Sequence, residues 1–218
     1  MRASYQAELR GLAERLATMC AAVGAAMDHA TQALLRPDLE LAEQVIAGDG
    51  RIDELRNRAE EQAFALLALQ APVATDLRIV VSAIHAAGDL ERMGDLALHV
   101  ARAAHRRYPS PVLPETVRPY FAEMGKVARE LADKAAEVIR DPDVTRARQL
   151  EADDDVMDDL HQHMFGLMMG PTWTHGVTCA VDATLLARFY ERFGDHAVAV
   201  ARRMVYVVTG HMPSPAGG

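Results

Sequence analysis

The sequence has little of two things on which many small proteins depend, cysteine and aromatic side chains. With only Cys20 and Cys179 among 218 residues, neither a disulfide framework nor a cysteine metal site is expected. Aromatic residues make up 5% of the chain, whereas 50% of it is hydrophobic, with Ala, Leu, Val and Met dominant. This balance favours helices packed on helices over a fold built on a sheet.

Further absences narrow the class of function. The formal net charge of −8 argues against nucleic acid or an anionic membrane surface as the main partner, and it favours cation binding. The longest uncharged stretch, residues 164–181, contains Gly and Pro, so it predicts a helix end and a turn rather than a membrane span. The sequence has no apolar signal core at its start, no Gly-rich phosphate loop, no GxSxG motif and no convincing Cys/His nucleophile pair. We therefore expect a cytoplasmic, non-catalytic protein that does not insert into the membrane.

Apolar residues recur at intervals of three and four along most of the chain, which predicts six long helices. Their lengths of roughly 25 to 35 residues lie well above the usual mean of about 11 to 12. The breaks between them contain proline, and the clearest is YPSPVLPET at 108–116. The predicted N-caps are Asp38 for the second helix, Thr75 or Asp76 for the third and Asp143 or Thr145 for the fifth.

A five-residue motif occurs twice, as ERMGD at 91–95 and as ERFGD at 191–195. Upstream, DGRID at 49–53 corresponds to DDVMD at 154–158, and the turn between the second and third helices absorbs the small difference in spacing. These matches predict an internal repeat of two three-helix units. We place the first unit at 1–108, the second at 115–210 and a disordered tail at 211–218.

Four pairs of carboxylates accompany the repeat. Residues four apart on a helix lie one above the other, so each pair forms an acidic row at a cost of about 0.2–0.5 kcal/mol. A single pair of this kind is usually a solvated face, but four at corresponding places favour a metal site, and oxygen ligands suit Mg²⁺, Mn²⁺, Ca²⁺ or iron. The pairs are Asp49 with Asp53, Glu91 with Asp95, Asp154 with Asp158 and Glu191 with Asp195.

The glycines and one histidine refine this prediction. Gly94 and Gly194 each cost about 1 kcal/mol relative to Ala in a helix, and a glycine there lets another group approach closely. His99 follows Asp95 by four residues and adds a candidate nitrogen ligand, whereas Ala199 occupies that place in the second half. The two sites are therefore not expected to be equivalent, and the metal prediction rests more firmly on the first half.

The basic residues near the motifs have structural interpretations. Arg92 and Arg192 lie one position beyond the carboxylate row, so we expect them to pair with carboxylates of a neighbouring helix. Arg188, three residues before Glu191, is the best structural alternative to a metal in the second half. The remaining histidines near the motifs are expected to be surface or interhelical hydrogen-bonding residues, namely His161, His163 and His196.

These residues carry a resemblance to a known family. The segments LERMGDLALHVA (90–101), YERFGDHAVAVARRMVYVVTG (190–210) and DLR (76–78), together with both DxxxD motifs, resemble the PhoU family, and its actinobacterial members in particular. The likeness spans nearly the whole chain and includes the repeat. Proteins of this family are accessory and regulatory proteins of bacterial phosphate uptake.

The resemblance implies a fold and a set of ligands. The expected fold is all-α, with two tandem three-helix bundles of long antiparallel helices related by a pseudo-twofold axis. The resemblance also implies metal ions, in some relatives multinuclear iron or zinc clusters, held by the ExxxD and DxxxD rows, which here are the four carboxylate pairs. Asp76 and Arg78 match the DLR motif of the family, which has no counterpart in the second half.

The resemblance further implies a role in signalling. We expect a homodimeric, cytoplasmic negative regulator of the phosphate-starvation response. It would connect the ATPase subunit of the phosphate importer with the sensor histidine kinase of the two-component system. Two alternatives remain open. One is a ferritin-like di-metal carboxylate enzyme, although the Glu-x-x-His pairs of such bundles are absent. The other is a metal-free helical scaffold.

Overall fold

The computed structural model describes residues 2–213, which form six helices and no strand. This confirms the predicted all-α fold of six long helices. Within these residues, no helix is both long enough and apolar enough to cross a membrane. The predicted tail lies outside the described residues from position 214 onward. The helices are α1 (Arg2–Leu35), α2 (Leu39–Gln70), α3 (Ala74–Arg107), α4 (Arg118–Arg140), α5 (Val144–Met169) and α6 (Gly176–Thr209).

Local side-chain chemistry sets several helix ends. Asp38 before α2 and Asp143 before α5 have extended backbones, and each carboxylate accepts a hydrogen bond from the amide three residues later, at 3.0 and 2.8 Å. Both residues are therefore N-caps, as predicted. Helix α6 ends where Gly210 adopts a left-handed φ of 76°, a conformation that costs glycine little.

Two helix starts differ from the prediction. Helix α3 begins at Ala74 without a side-chain cap, so neither Thr75 nor Asp76 caps it. Helix α4 begins at Arg118, three residues later than its predicted start near position 115. The preceding linker, 108–117, contains three prolines and packs apolar side chains into the core. Residues 115–117 form a turn, in which the Val117 amide donates to the Pro114 carbonyl at 3.2 Å, and the helix begins only after it.

The helices pack in a pattern that repeats. Helices α1, α2 and α3 pack against one another, and so do α4, α5 and α6. The two sets meet where α1 packs against α4 and where α3 packs against α6, so each crossing pair joins a helix to its counterpart. A twofold relation between the sets produces this arrangement. One hydrophobic cluster includes residues of all six helices, and the boundaries at 1–108 and 115–210 stay predictions.

Burial along α2 recurs along α5 at the spacing of the DxxxD motifs. The counterparts lie 105 positions apart in the sequence, and both members of each pair are buried. The pairs are Ala42 and Ala147, Val45 and Leu150, Ile52 and Met157, Ala59 and Met164, and Ala63 and Met168. The carboxylate motifs therefore occupy equivalent positions relative to the core of each half.

A buried hydrogen bond joins the two halves. The hydroxyl of Thr31 on α1 donates to the Met27 carbonyl at 2.7 Å, so the fully buried Tyr190 hydroxyl of α6 donates to Thr31 Oγ1 at 2.8 Å. Gly125 of α4 leaves room for this contact, since a Cβ atom there would lie 2.5 Å from Thr31 Cγ2. The bond fixes the position of α6 relative to α1 in a core that is otherwise mostly apolar.

We expect Tyr190→Phe to lower the free energy of unfolding by about 1 kcal/mol, because one buried hydrogen bond is lost. Urea denaturation followed by circular dichroism measures this change. Tyr206→Phe is the matched control on the same helix, and we expect it to change stability by less than about 0.5 kcal/mol. Equal effects of the two substitutions would show that the bond to Thr31 makes no specific contribution.

Two acidic clusters as the candidate functional site

The second acidic cluster lies where α5 packs against α6. It consists of Asp154, Asp158, Glu191 and Asp195. The side chain of Asp154 is buried, with the residue 7% exposed, and its Oδ1 atom has no hydrogen-bond partner. Glu191 Oε2 is likewise buried without a partner. Buried polar atoms are nearly always hydrogen-bonded, so two unpaired carboxylate oxygens in one cluster are unusual.

The electrostatics of the second acidic cluster are unfavourable for a protein without a bound cation. Burial raises the pKa of Asp154 to about 7, and repulsion from the other three carboxylates adds to the shift. Burial also raises the pKa of Asp158 and that of Glu191, and in both cases Asp195 is the neighbouring charge that contributes most. Asp154, Asp158 and Glu191 therefore resist being ionised together.

Arg188 compensates only part of this negative charge. Its guanidinium forms an ion pair with Glu191 Oε1, as the sequence predicts for a residue three positions earlier on the same helix. The pair leaves Glu191 Oε2 unpaired, and the neighbouring charges that act most strongly on Asp154 all raise its pKa. Arg188 is therefore a partial structural alternative to a cation, limited to one oxygen.

The glycines of the repeated motif admit close contacts, as predicted, but the contacts differ. A Cβ atom at Gly194 would overlap the carboxylate oxygen Oδ1 of Asp154. A Cβ atom at Gly94 would lie 2.9 Å from Ile52 Cδ1. The second half therefore uses the missing side chain to bury a carboxylate, whereas the first half uses it to bury a hydrocarbon.

The first acidic cluster lies between α2 and α3. It consists of Asp49, Asp53, Glu91 and Asp95. Burial raises the pKa of Asp49, and Asp53 and Asp95 raise it further, whereas Arg102 and His99 oppose the shift. Sequence reasoning missed Arg102, although it follows Asp95 by seven residues and so lies on the same face of α3.

Arg92 corrects one prediction. It does not reach a neighbouring helix, but pairs with Asp95 at 2.8 Å and lies 3.6 Å from Glu91. The reason is geometric, since residues three apart on a helix are neighbours and the arginine side chain can fold along its own helix. Arg192, its counterpart, is exposed. The first acidic cluster is thus the better compensated of the two, and the expectation that it is the more complete metal site stays a prediction.

The histidines have contacts of their own. His99 is exposed, and its ring stacks on that of Phe189 across the α3–α6 contact, with centroids 5.1 Å apart and planes at 21°. Its role as a ligand therefore stays a prediction. His196 Nδ1 lies 3.1 Å from Asp89 Oδ1 on α3, which confirms the predicted interhelical hydrogen bond. Asp89 also accepts a hydrogen bond from Arg203 at 3.0 Å.

The DLR residues connect the start of α3 to the end of α6. Arg78 Nε and Nη2 each lie 3.3 Å from the carbonyl oxygen of Val207, and Nη2 also donates to Thr75 at 2.9 Å. These contacts satisfy a carbonyl near the C-terminal end of α6. Burial raises the pKa of the Tyr5 hydroxyl, and the neighbouring Asp76 carboxylate raises it further. Arg78 therefore has a structural function that the sequence motif alone does not reveal.

The carboxylates have the oxygen ligands that a hard cation prefers, but their side chains are not arranged around a common point. Across residues 2–213, no group of three or more His, Cys, Asp or Glu side chains has an arrangement that could hold a metal ion. The second acidic cluster nevertheless supplies oxygen donors, and two of these are buried without a hydrogen-bond donor. Oxygens of this kind are the ligands that a hard cation prefers. The first acidic cluster fits less well, because Arg92 already pairs with two of its carboxylates.

The fold and the repeated motifs define a class: an all-α protein whose two three-helix units each carry acidic rows on corresponding helices. The family profile described as "PhoU domain" matches the chain twice, at residues 16–104 and 121–204. The two matches together cover well over half of the chain. The chain belongs to the PhoU family.

The relatives support this assignment over the full length. The chain is 57% identical over 213 residues to "Phosphate-specific transport system accessory protein PhoU homolog 2" of Mycobacterium tuberculosis, covering 98% of this chain and 100% of the relative. It is 56% identical over 213 residues to PhoU homolog 1 of Mycobacterium leprae, covering 98% and 96%. These matches confirm the actinobacterial type.

Solved structures confirm the helical-bundle fold. The crystal structure of PhoU from Pseudomonas aeruginosa matches with a TM-score of 0.82 at 26% identity, covering 95% of this chain and 100% of the other. The phosphate transport system regulatory protein PhoU of Streptococcus pneumoniae matches with a TM-score of 0.86 at 24% identity, covering 96% and 99%.

The raised pKa of Asp154 predicts how stability depends on pH. Between its ordinary value of 3.8 and about 7, the folded state retains a proton that the unfolded state releases, so stability falls as the pH rises through this window. In protein treated with chelator at pH 8, we expect Asp154→Asn to raise the free energy of unfolding by on the order of 2–4 kcal/mol. The gain should disappear below about pH 4.

Urea denaturation at several pH values measures this effect. Asp155→Asn is the control, because this neighbour is exposed on the same helix. We expect it to change stability by less than about 0.5 kcal/mol at every pH. An Asp154→Asn protein that is no more stable than the wild type at pH 8 would contradict the prediction.

Proposed function

We propose that this chain is a cytoplasmic, non-catalytic regulator of phosphate uptake and signalling. Family membership over nearly the whole chain supports the proposal. The relatives are named as accessory proteins of a phosphate-specific transport system rather than as enzymes. In this role the protein is a homodimeric adaptor between the phosphate importer ATPase and the sensor histidine kinase, and it represses the phosphate-starvation response.

The second acidic cluster is the proposed cation site. Its four carboxylates hold a hard divalent or trivalent ion such as Mg²⁺, Mn²⁺ or iron, or else zinc. The observation that carries this proposal is the buried carboxylate of Asp154, whose unpaired oxygen accompanies that of Glu191. A bound cation supplies positive charge, which offsets the desolvation and mutual repulsion of the carboxylates.

The cation links the site to docking through the packing of α5 on α6. Asp154 and Asp158 belong to α5, and Glu191 and Asp195 belong to α6, so a shared ion holds the two helices together. The exposed residues of the cluster, Asp158 and Asp195, remain part of the surface that a partner meets. Regulation then occurs by a change in docking with the transport state, and no substrate is transformed.

The first acidic cluster is a weaker second site in this proposal. Its candidate ligands are Asp49, Asp53, Glu91, Asp95 and His99. Arg92 pairs with two of these carboxylates, and a cation must compete with this arginine for them. We therefore expect the two sites to fill in order, with the α5–α6 site first.

The proposal predicts a coupled loss of metal and repression. We expect Asp154→Asn with Glu191→Gln to reduce cation content by about one ion per chain, because two ligands lose their charge. The same double variant should express phosphate-starvation genes in phosphate-rich medium. Metal analysis of untagged protein and a transcriptional reporter measure the two effects.

A control variant distinguishes loss of the cluster from a general loss of negative charge on α5. Asp155→Asn with Asp159→Asn removes the same number of negative charges from exposed positions on α5. We expect this control to retain both the ion and repression. If the variant of the cluster kept its metal content and its repression, the adaptor with a regulatory cation would be refuted.

A further inference from the structure

Both halves carry an arginine at the same position relative to the repeated motif. Arg102 follows Asp95 by seven residues on α3, and Arg202 follows Asp195 by seven residues on α6. Residues seven apart lie on the same face of a helix, so each arginine is placed beside the acidic row of its own half. The duplication therefore places one equivalent arginine on the helix that carries each acidic row.

The two arginines differ in their surroundings: Arg102 is exposed, whereas Arg202 is half-buried and forms an ion pair. Arg102 is among the charges that oppose the raised pKa of Asp49 in the first acidic cluster. Arg202 instead pairs with Glu151 on α5, where its Nε lies 3.0 Å from Glu151 Oε1 and its Nη2 contacts the same oxygen. In the second half, the guanidinium group of Arg202 is thus bound by Glu151, a carboxylate outside the second acidic cluster.

A single sequence difference explains the change of partner. The offset of 105 that relates the buried residues of α2 and α5 places Ile46 at the position equivalent to Glu151. Isoleucine cannot accept a hydrogen bond from a guanidinium group. Glu151 precedes Asp154 by three residues, so the two carboxylates are neighbours on α5, and Glu151 is the one that holds Arg202. Removing Glu151 would leave Asp154 as the next acceptor along the helix.

The consequence is visible at Asp154. This side chain is more than nine-tenths buried, and its Oδ1 atom has no hydrogen-bond partner although an arginine is bound one helical turn away. An unpaired buried carboxylate is costly, so the arrangement requires a compensating benefit. Because no arginine pairs with the buried Asp154 Oδ1 atom, this part of the cluster remains able to accept a cation from solution.

We propose that Glu151 is a positioning residue, which holds Arg202 away from the second acidic cluster and thereby keeps this cluster open to a hard divalent cation. The inference rests on the proposed function, because it takes the second acidic cluster as the cation site. It adds the reason why the two halves differ: Ile46 leaves the internal arginine at the first cluster, and Glu151 removes it from the second.

The test is binding of Mn²⁺ alone to the full chain, measured by equilibrium dialysis with detection of free Mn²⁺ by electron paramagnetic resonance. The first acidic cluster is disabled by Asp53→Asn and Asp95→Asn, so that the second is observed by itself. In this background we expect Glu151→Ile to raise the Kd by at least about tenfold, because the freed guanidinium places a positive charge beside the ligands.

A double-variant cycle separates positioning from a direct effect of the Glu151 charge. Arg202→Met removes the competing cation, so Glu151→Ile combined with Arg202→Met should bind Mn²⁺ within about threefold of Arg202→Met alone. If Glu151→Ile weakens binding equally in the presence and absence of Arg202, the positioning role is overturned. Thermal melts in chelator show whether each variant is folded.

The reciprocal substitution tests the inference at the other cluster. In a background carrying Asp154→Asn, we expect Ile46→Glu to draw Arg102 away and to lower the Kd of the first acidic cluster by about tenfold. Unchanged or weaker binding overturns the inference. Failure of the proposed function is distinguishable, since Asp154→Asn would then leave Mn²⁺ binding by the otherwise unmodified chain unchanged.

Discussion

A buried carboxylate with no hydrogen-bond donor is the constraint on which the α5–α6 contact depends. Asp154 lies against Gly194, where any larger residue would overlap its carboxylate. Its Oδ1 atom is unpaired, and the neighbouring carboxylates repel it. Repulsion between these carboxylates opposes the packing of α5 on α6. Bound protons or a bound cation would remove this repulsion. The stability of this half is therefore linked to pH, and under the proposed cation binding it is linked to cation concentration as well.

The two halves have the same backbone arrangement, but the charges of their acidic clusters are compensated in different ways. The two halves bury corresponding apolar positions along α2 and α5 and repeat the same carboxylate spacing. In the first half, Arg92 pairs with its own acidic row, and Ile52 fills the space beside the glycine. In the second half, Asp154 fills the space beside the glycine, and Glu151 forms an ion pair with Arg202. Equivalent positions thus acquire different chemistry through a few side chains, while the packing is preserved.

Sequence reasoning recovered the features that depend on neighbours along the chain. Apolar periodicity gave the six helices, local capping chemistry gave Asp38 and Asp143, and the repeated motifs gave the correspondence between halves. The different compensation of the two clusters did not follow from the sequence, because part of it depends on which groups meet across helices. The pair between Glu151 and Arg202 spans two helices and matches no local motif.

The most direct measurement is a crystal structure of untagged protein that has never been exposed to chelator, with anomalous diffraction recorded at the absorption edges of manganese, iron and zinc. We predict an anomalous peak at the α5–α6 contact with carboxylate oxygens of both helices as ligands, foremost those of Asp154 and Glu191. A peak confined to the first acidic cluster, or no peak with Asp154 Oδ1 still unpaired, would contradict the claim that the uncompensated cluster is the cation site.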